Sequence, residues 1–135
     1  LEKLSTKLGI RHKIKFLGWL NKDLLELHYR AADIFTISSD YEAGPITMLE
    51  AMIAETAVVS TNIQGFPALT KNYIETVLVP PHNPLALAKG IEILIKDHNL
   101  RRKIGVNGRK FALKHTWDNV AKRILKLYEI VLNGA

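Results

Sequence analysis

The sequence predicts an α/β fold in which a Rossmann-like parallel sheet of about four strands carries helices on both faces. Short apolar runs alternate with longer segments of helical periodicity, which is the pattern of βαβ units. The run 33–38 is almost continuously apolar, as expected for a parallel strand covered on both faces. A polar loop, a helical segment opening at Gly44-Pro45 and the apolar run 57–61 follow, and they complete one such unit.

The residues before this unit predict two helices and a strand. Leucines recur at helical spacing over residues 1–9, which predicts an amphipathic helix ending near Gly9. Residues 12–19 alternate in polarity and predict a strand. Asn21 is a suitable N-cap for the helix that follows.

The residues after the unit predict one more strand and three more helices. Residues 75–80 form an apolar run that two prolines end, as expected for a strand. Asn83, followed by proline, begins a helix that continues to about residue 96. Either Asp97 or Asn99 caps a further helix, and Thr116 caps the last one.

Composition narrows the class of protein. The 135 residues suit a single domain, and 47% apolar with 24% charged residues is ordinary for a globular protein. No apolar run approaches the ~20 residues that span a bilayer. The absence of cysteine excludes disulfides and thiolate chemistry and fits a cytoplasmic location. The five histidines lack metal-ligand spacing, so we expect neither a metal site nor a cofactor.

The net charge of +6 is unevenly distributed. Residues 96–126 contain ten Lys or Arg and two Asp, whereas residues 31–70 contain five acids and no Lys or Arg. The basic segment either forms a solvated helix surface or contacts the inner face of an anionic membrane. No motif or interleaved aromatic residues support a nucleic-acid partner.

Two carboxylates bracket the start of the central helix. Glu42 lies in the loop and Glu50 on the helix, with seven residues between them. Backbone N–H groups of Gly44, Ile46 and Thr47 would be unpaired there and directed at an anion. Glu50 has apolar neighbours in sequence, so its carboxylate needs a hydrogen-bonding partner. The spacing alone fits equally well a solvated loop glutamate and a helix glutamate at the rim of the sheet.

The surrounding residues resemble the signature of a known family. The segment S-x-x-Y-E-A-G-P-x-x-x-L-E-A-M, the strand V-V-S-T and the turn Q-G-F-P-A-L resemble those of the retaining GT-B glycosyltransferases of family 4. The resemblance implies a C-terminal donor-binding domain of six strands. Residues 1–135 would form one partial domain that contains the third to sixth of these strands. It also implies two further strands and an N-terminal acceptor-binding domain, elsewhere in the protein or on a partner chain.

The resemblance further implies a reaction and roles for the site residues. A hexose-type sugar would pass from a UDP, GDP or ADP sugar to an acceptor, with retention, in glycan, glycolipid or polysaccharide synthesis. Glu42 would contact the donor sugar near its reacting carbon, and Glu50 would accept hydrogen bonds from the ribose hydroxyls. Trp19 would either lie near the base or pack in the core. The leaving phosphate would help to deprotonate the acceptor on the same face.

The chain departs from the family pattern around the diphosphate. Pro45 has no N–H to donate, and Ala43 stands where glycine is usual. The Arg and Lys that neutralise the diphosphate in the family have no counterpart here. We therefore expect the chain alone to bind nucleotide weakly and to be inactive. The alternative is a non-catalytic truncated module that packs against a partner chain. A phosphorylase of the same fold would carry a lysine for pyridoxal phosphate, and no such motif stands out.

Overall fold

One parallel sheet organises the fold. A computed structural model describes residues 1–134, apart from the side chain of residue 66. The sheet has the order β1-β2-β3, in which β1 is Ile34–Ile37, β2 is Ala57–Thr61 and β3 is Val77–Val79. In the register, Ile34 lies opposite Ala57 and Val59 opposite Val77. Since all three strands run the same way, their carboxyl ends meet at one edge of the sheet.

Seven α-helices occur among the described residues: α1 (Glu2–Lys7), α2 (Lys22–Ala31), α3 (Ile46–Ile53), α4 (Phe66–Leu69), α5 (Pro84–Lys96), α6 (His98–Ala112) and α7 (Trp117–Asn133). Four of them start at a predicted polar cap. The side chains of Asn21, Asn83, Asp97 and Thr116 each accept a hydrogen bond from the N–H three residues later, at 2.8–3.4 Å. Asp97 rather than Asn99 therefore caps α6.

The core has two halves, one on each face of the sheet. β2 is buried along its whole length between them. One half packs α2 and α3 on Val58, and the other packs α5 on Val59; α6 crosses the amino end of β2 and contributes to both. The first half comprises Tyr29, Met48, Ala51, Met52, Val58 and Ala112, and the second Ala57, Val59, Val77, Val79, Leu94 and Ile104. The predicted α/β fold with helices on both faces is confirmed.

The strand predicted over residues 12–19 does not form. A 3-10 turn occupies Arg11–Lys13, and residues 14–19 continue without strand structure. Local contacts order this segment instead, because the Arg11 guanidinium lies 4.9 Å from the centre of the Phe16 ring and donates to the Ile14 carbonyl at 3.0 Å. A strand needs a neighbouring strand with which its backbone N–H and C=O groups can pair. No strand among residues 1–134 pairs with residues 14–19. The sheet thus has three strands, not about four.

β1 is more open than its apolar sequence predicts. Thr36 is exposed and the other three residues of the strand are only half-buried. Among the described residues β1 pairs with β2 alone, so its outer edge carries unpaired backbone groups. Both faces of the strand are nevertheless partly covered as expected, since Phe35 packs against one half of the core and Ile34 against the other.

The last helix presents an apolar face to solvent. Trp117 is 81% exposed and Leu132 78%, and no residue of α7 is buried. The same face carries Ile124, Leu125, Leu127, Tyr128 and Val131. α7 packs against the 3-10 turn Leu113–His115. No helix within residues 1–134 is long and apolar enough to cross a membrane.

Thr76 carries a buried hydroxyl whose removal is expected to stabilise the protein. Its side chain is fully buried, and its Oγ1 has no hydrogen-bond partner among the described residues. We expect Thr76→Val to raise the free energy of unfolding by about 1 kcal/mol, because the substitution removes an unpaired polar atom without changing shape. Urea unfolding measures the difference.

Thr70→Val is the matched control. Thr70 is also buried, but its hydroxyl donates to the Pro67 carbonyl at 2.8 Å. The same substitution there should destabilise the protein by about 1 kcal/mol, because it removes a hydrogen bond that is made. Equal losses at both positions would show that the Thr76 hydroxyl is satisfied.

Candidate functional site

Two loops at the carboxyl edge of the sheet lie against each other. The loop after β1 spans residues 38–45, and the turn after β2 spans residues 62–65. Thr61 Oγ1 donates to the Ser39 carbonyl at 2.6 Å and joins them. Gly65 lies so close to the first loop that a Cβ there would be 2.7 Å from the Glu42 carbonyl oxygen. The two loops therefore form one continuous wall beside the start of α3.

Glu42 is held in this wall by a local hydrogen bond. Its side chain is half-buried, and its Oε1 accepts from the Ser39 hydroxyl at 2.9 Å. Ser39 is itself fixed through its carbonyl by Thr61. Oε2 of Glu42 has no partner among the described residues, so one oxygen is positioned by the loop and the other is open to a ligand.

The N-terminus of α3 supplies unpaired donors beside Glu42. The helix begins at Ile46 with Pro45 as its N-cap, one residue later than predicted, and no side chain caps it. The first intrahelical acceptor is the Pro45 carbonyl, which receives the Met48 N–H at 3.0 Å. Within residues 1–134 the N–H groups of Gly44, Ile46 and Thr47 donate to no acceptor. These donors and the helix dipole favour an anion here.

Glu50 lies one turn further along α3 and is exposed. Its Oε2 accepts a hydrogen bond from the Tyr29 hydroxyl at 3.2 Å. Glu50 thus has the hydrogen-bonding partner expected from its apolar neighbours in sequence. This partner could not be identified from the sequence, because Tyr29 belongs to α2, 21 residues earlier. Burial of Tyr29, together with the neighbouring Glu50 carboxylate, raises the pKa of its phenol to about 12.

The raised pKa of Tyr29 predicts a loss of stability in alkali. The unfolded chain releases this proton near pH 10 and the folded chain near 12, so the stabilisation is complete below about pH 10 and declines as pH rises to 12. At ~1.4 kcal/mol per pH unit over two units, this single group accounts for at most about 3 kcal/mol. Urea unfolding at a series of pH values measures it. Tyr29→Phe should lack this part of the decline, and an unchanged pH dependence would contradict the assignment.

Two aromatic residues lie away from these contacts. Trp19 is 89% exposed, and it makes no ring contact or hydrogen bond to Glu42, Glu50 or any other described residue. Its place near a nucleotide base stays a prediction. Tyr41, in the loop after β1, is 80% exposed.

An open cavity of about 460 Å³ lies beside the wall, between the ends of β1 and β2. It is lined by Asp40, Tyr41, Asn62, Ile63, Gln64 and Ala68. Asp40 Oδ1 lies 3.3 Å from Nδ1 of His82, which follows β3 in a left-handed conformation with φ +55°. This contact ties the loop after β1 to the loop after β3.

The charges of the molecule divide between the two edges of the sheet. At the amino edge, Arg101 pairs with Asp33 at 3.1 Å and Arg109 with Glu55 at 2.9 Å. At the carboxyl edge, Glu42 and Glu50 have no Lys or Arg partner among the described residues. The helix dipole and the three N–H groups contribute positive potential beside these two carboxylates. Contact of the basic segment 96–126 with an anionic membrane stays a prediction.

Comparison with known proteins decides the family. The family model described as glycosyl transferases group 1 matches residues 1–111. The chain belongs to the glycosyl transferases group 1 family. A glycosyltransferase of Methanocaldococcus jannaschii is 38% identical over 98% of this chain and 34% of its own length. The D-inositol 3-phosphate glycosyltransferase of Salinispora arenicola is 30% identical over 95% of this chain and 29% of its own.

Solved structures of similar fold extend this comparison. Sucrose-phosphate synthase of Thermosynechococcus elongatus has a TM-score of 0.88 and 26% identity over 99% of this glycosyltransferase domain and 34% of its own chain. The Anabaena protein HepE in complex with UDP has a TM-score of 0.83 and 25% identity, over 95% of this chain and 35% of its own. The chain spans about a third of the length of the relatives that it matches.

Proposed function

We propose that this chain is the donor-binding part of a retaining GT-B glycosyltransferase of family 4. In this proposal it binds a nucleotide diphosphate sugar and delivers a hexose-type sugar to an acceptor in glycan or glycolipid synthesis. The observation that carries the proposal is the uncapped N-terminus of α3, which lies between two carboxylates at the carboxyl edge of a parallel sheet. The family assignment and the UDP complex of the Anabaena protein support it.

Each part of the donor has a proposed partner. The diphosphate lies at the free N–H groups of Gly44, Ile46 and Thr47, where the helix dipole stabilises its charge. The free Oε2 of Glu42 accepts a hydroxyl of the donor sugar. Glu50 accepts the ribose hydroxyls, and Trp19 contacts the base.

Transfer then takes place on one face of the sugar. The bond between the anomeric carbon and the phosphate oxygen breaks, and the acceptor oxygen bonds to the same face of that carbon. The acceptor proton passes to the leaving phosphate. Negative charge develops on the leaving diphosphate, and the N–H groups of α3 are fixed where this charge appears, so they lower the barrier without having to reorganise.

The rest of the catalytic apparatus is proposed to lie in an N-terminal acceptor-binding domain or on a partner chain. Three features support this: the open outer edge of β1, the exposed apolar face of α7, and the coverage of about a third of each relative. Contiguous exposed apolar faces often mark surfaces that another element covers.

A non-catalytic module is the second candidate, and one observation favours it. Glu42 and Glu50 have no Lys or Arg partner among the described residues, so no cation is held beside them to balance the charge of a diphosphate. In this case α3 would keep the geometry of a donor site without the affinity, and the chain would serve only to pack against its partner.

A calorimetric titration with UDP, GDP and ADP, with and without magnesium, separates the two candidates. We expect one nucleotide to bind saturably but more weakly than about 1 µM, because backbone donors replace charged ones. Glu50→Ala should weaken this binding about tenfold or more, since it removes a charged hydrogen-bond acceptor worth ~1.5–3 kcal/mol.

The control is Glu129→Ala, which removes an exposed helical glutamate on α7, away from the site. This substitution should leave the binding unchanged. Absence of binding by the folded wild-type chain at millimolar nucleotide would favour the non-catalytic module. Unchanged affinity in Glu50→Ala would remove Glu50 from the donor site.

A further inference from the structure

We propose that Tyr29 is a positioning residue that orients Glu50 and thereby makes the site selective for ribonucleoside over 2′-deoxyribonucleoside diphosphates. The inference rests on the proposed function, since it concerns how Glu50 meets the ribose. Its basis is the 3.2 Å hydrogen bond from the Tyr29 hydroxyl to Oε2 of Glu50. Among the described residues this is the only hydrogen bond that the Glu50 side chain makes.

The Tyr29 ring is fixed from several sides. It is only 7% exposed and belongs to the core half that contains Met48 and Met52. Phe35 of β1 packs against it edge to face, with ring centres 5.6 Å apart and planes at 77°. The Tyr29 carbonyl accepts the Thr56 hydroxyl at 2.6 Å, which ties α2 to the residue before β2. The hydroxyl of Tyr29 is therefore placed by α2, β1 and the start of β2 together.

Glu50 needs such a partner because nothing else orders it. It is exposed, and ordering a free glutamate side chain on binding costs rotamer entropy. The hydrogen bond from the fixed Tyr29 hydroxyl to Oε2 restricts the Glu50 side chain before the ligand binds, so less of this entropy is lost on binding. Oε1 and the remaining lone pair of Oε2 are then available to two neighbouring hydroxyl groups. A ribose supplies such a pair, whereas a 2′-deoxyribose supplies one hydroxyl.

The direction of the hydrogen bond is fixed by protonation. The pKa of the Tyr29 phenol is about 12, so the group remains a donor throughout the neutral range. A carboxylate is an acceptor only, so Glu50 presents acceptors to the sugar and never competes with the ribose hydroxyls as a donor.

Tyr29→Phe tests the inference, because it keeps the packed ring and removes only the hydroxyl. The probes are the nucleoside diphosphate that the wild-type chain binds and its 2′-deoxy form, each titrated by calorimetry. We expect the affinity for the ribonucleotide to fall about three- to tenfold, the effect of one hydrogen bond. The affinity for the deoxy form should change less than twofold, so the ribose preference itself should decrease. Tyr128→Phe, on the exposed face of α7, should change neither affinity.

A double-mutant cycle separates positioning from general damage to the fold. In a Glu50→Ala background, Tyr29→Phe should have no further effect on affinity, since the carboxylate that it orients is gone. If Glu50→Ala weakens binding while Tyr29→Phe lowers both affinities equally or neither, the inference on Tyr29 is overturned and the proposed function stands. If Glu50→Ala leaves affinity unchanged, or the wild-type chain binds no nucleotide at millimolar concentration, the proposed donor site fails and the inference fails with it.

Discussion

Replacing Gly105 with alanine is expected to lower the free energy of unfolding by about 2–3 kcal/mol, the cost of a buried group forced into filled space. Gly105 is buried in α6 where this helix crosses the amino end of β2. A methyl group at Gly105 would overlap the carbonyl oxygen of Glu55. The obstacle is backbone, so a rotamer change cannot relieve it, and α6 would have to move away from the sheet.

The turn that carries this carbonyl has little freedom to move. Glu55 adopts a left-handed conformation, with φ +62°, and its N–H donates to the Met52 carbonyl at 3.0 Å. The next N–H, of Thr56, donates to the Ala51 carbonyl at 3.0 Å. β2 begins directly afterwards and is wholly buried. Movement of the turn would therefore disturb both halves of the core.

Gly108→Ala is the matched control, because it changes the same residue type in the same helix. A methyl there would meet Cγ of Met52 at 3.2 Å and the Glu75 carbonyl oxygen at 3.3 Å. The methionine side chain can adjust, and alanine gains about 1 kcal/mol of helix propensity over glycine. We expect a change within about 1 kcal/mol, measured by urea unfolding with both variants at one temperature. Similar losses for both variants would contradict the assigned contact at Gly105.

Much of the fold follows from local signals in the sequence. The caps at Asn21, Asn83, Asp97 and Thr116 are local hydrogen bonds, so residue type and position sufficed to predict them. The predicted strand over 12–19 failed because alternation reports only a local tendency, whereas strand formation depends on a neighbour in space.

The glycines of α6 show the same limit. Helix propensity alone marks Gly105 and Gly108 as residues that weaken this helix. The structure gives them another role, since both are buried and allow α6 to approach the turn at Glu55 and the side chain of Met52. Which residues face each other across the core depends on helix packing, and the chain does not encode that in any short spacing.

The candidate site divides in a similar way. Glu42, Glu50 and the start of α3 lie within one stretch of chain, so the motif placed them on neighbouring elements correctly. Ser39 lies three residues before Glu42, a distance at which loop side chains commonly bond, and this spacing was a usable signal. Tyr29 gave none, because its contact with Glu50 depends on how α2 docks on α3.

Gly65→Ala is expected to damage both the fold and the candidate site. Gly65 has φ +96° and ψ −151°, a backbone conformation that is essentially restricted to glycine. A Cβ would also lie 2.7 Å from the Glu42 carbonyl oxygen and 3.3 Å from that of Ala43. We expect a loss of about 3 kcal/mol in unfolding free energy, from strain and overlap together. The affinity for the bound nucleotide should fall at least about tenfold, because displacement of this loop moves Glu42 and the N–H groups of α3.

Gly9→Ala separates the two causes. Gly9 also has positive φ, +69°, but a Cβ there would meet no atom within 4 Å. Alanine at this position should cost only about 1 kcal/mol, the price of a left-handed conformation, and should leave nucleotide affinity unchanged. If the two variants lose equal stability and bind equally, the close approach of Gly65 to Glu42 has no consequence. If Gly65→Ala loses affinity but keeps the stability of Gly9→Ala, the loop moves without disturbing the core, and Gly65 acts on the site alone.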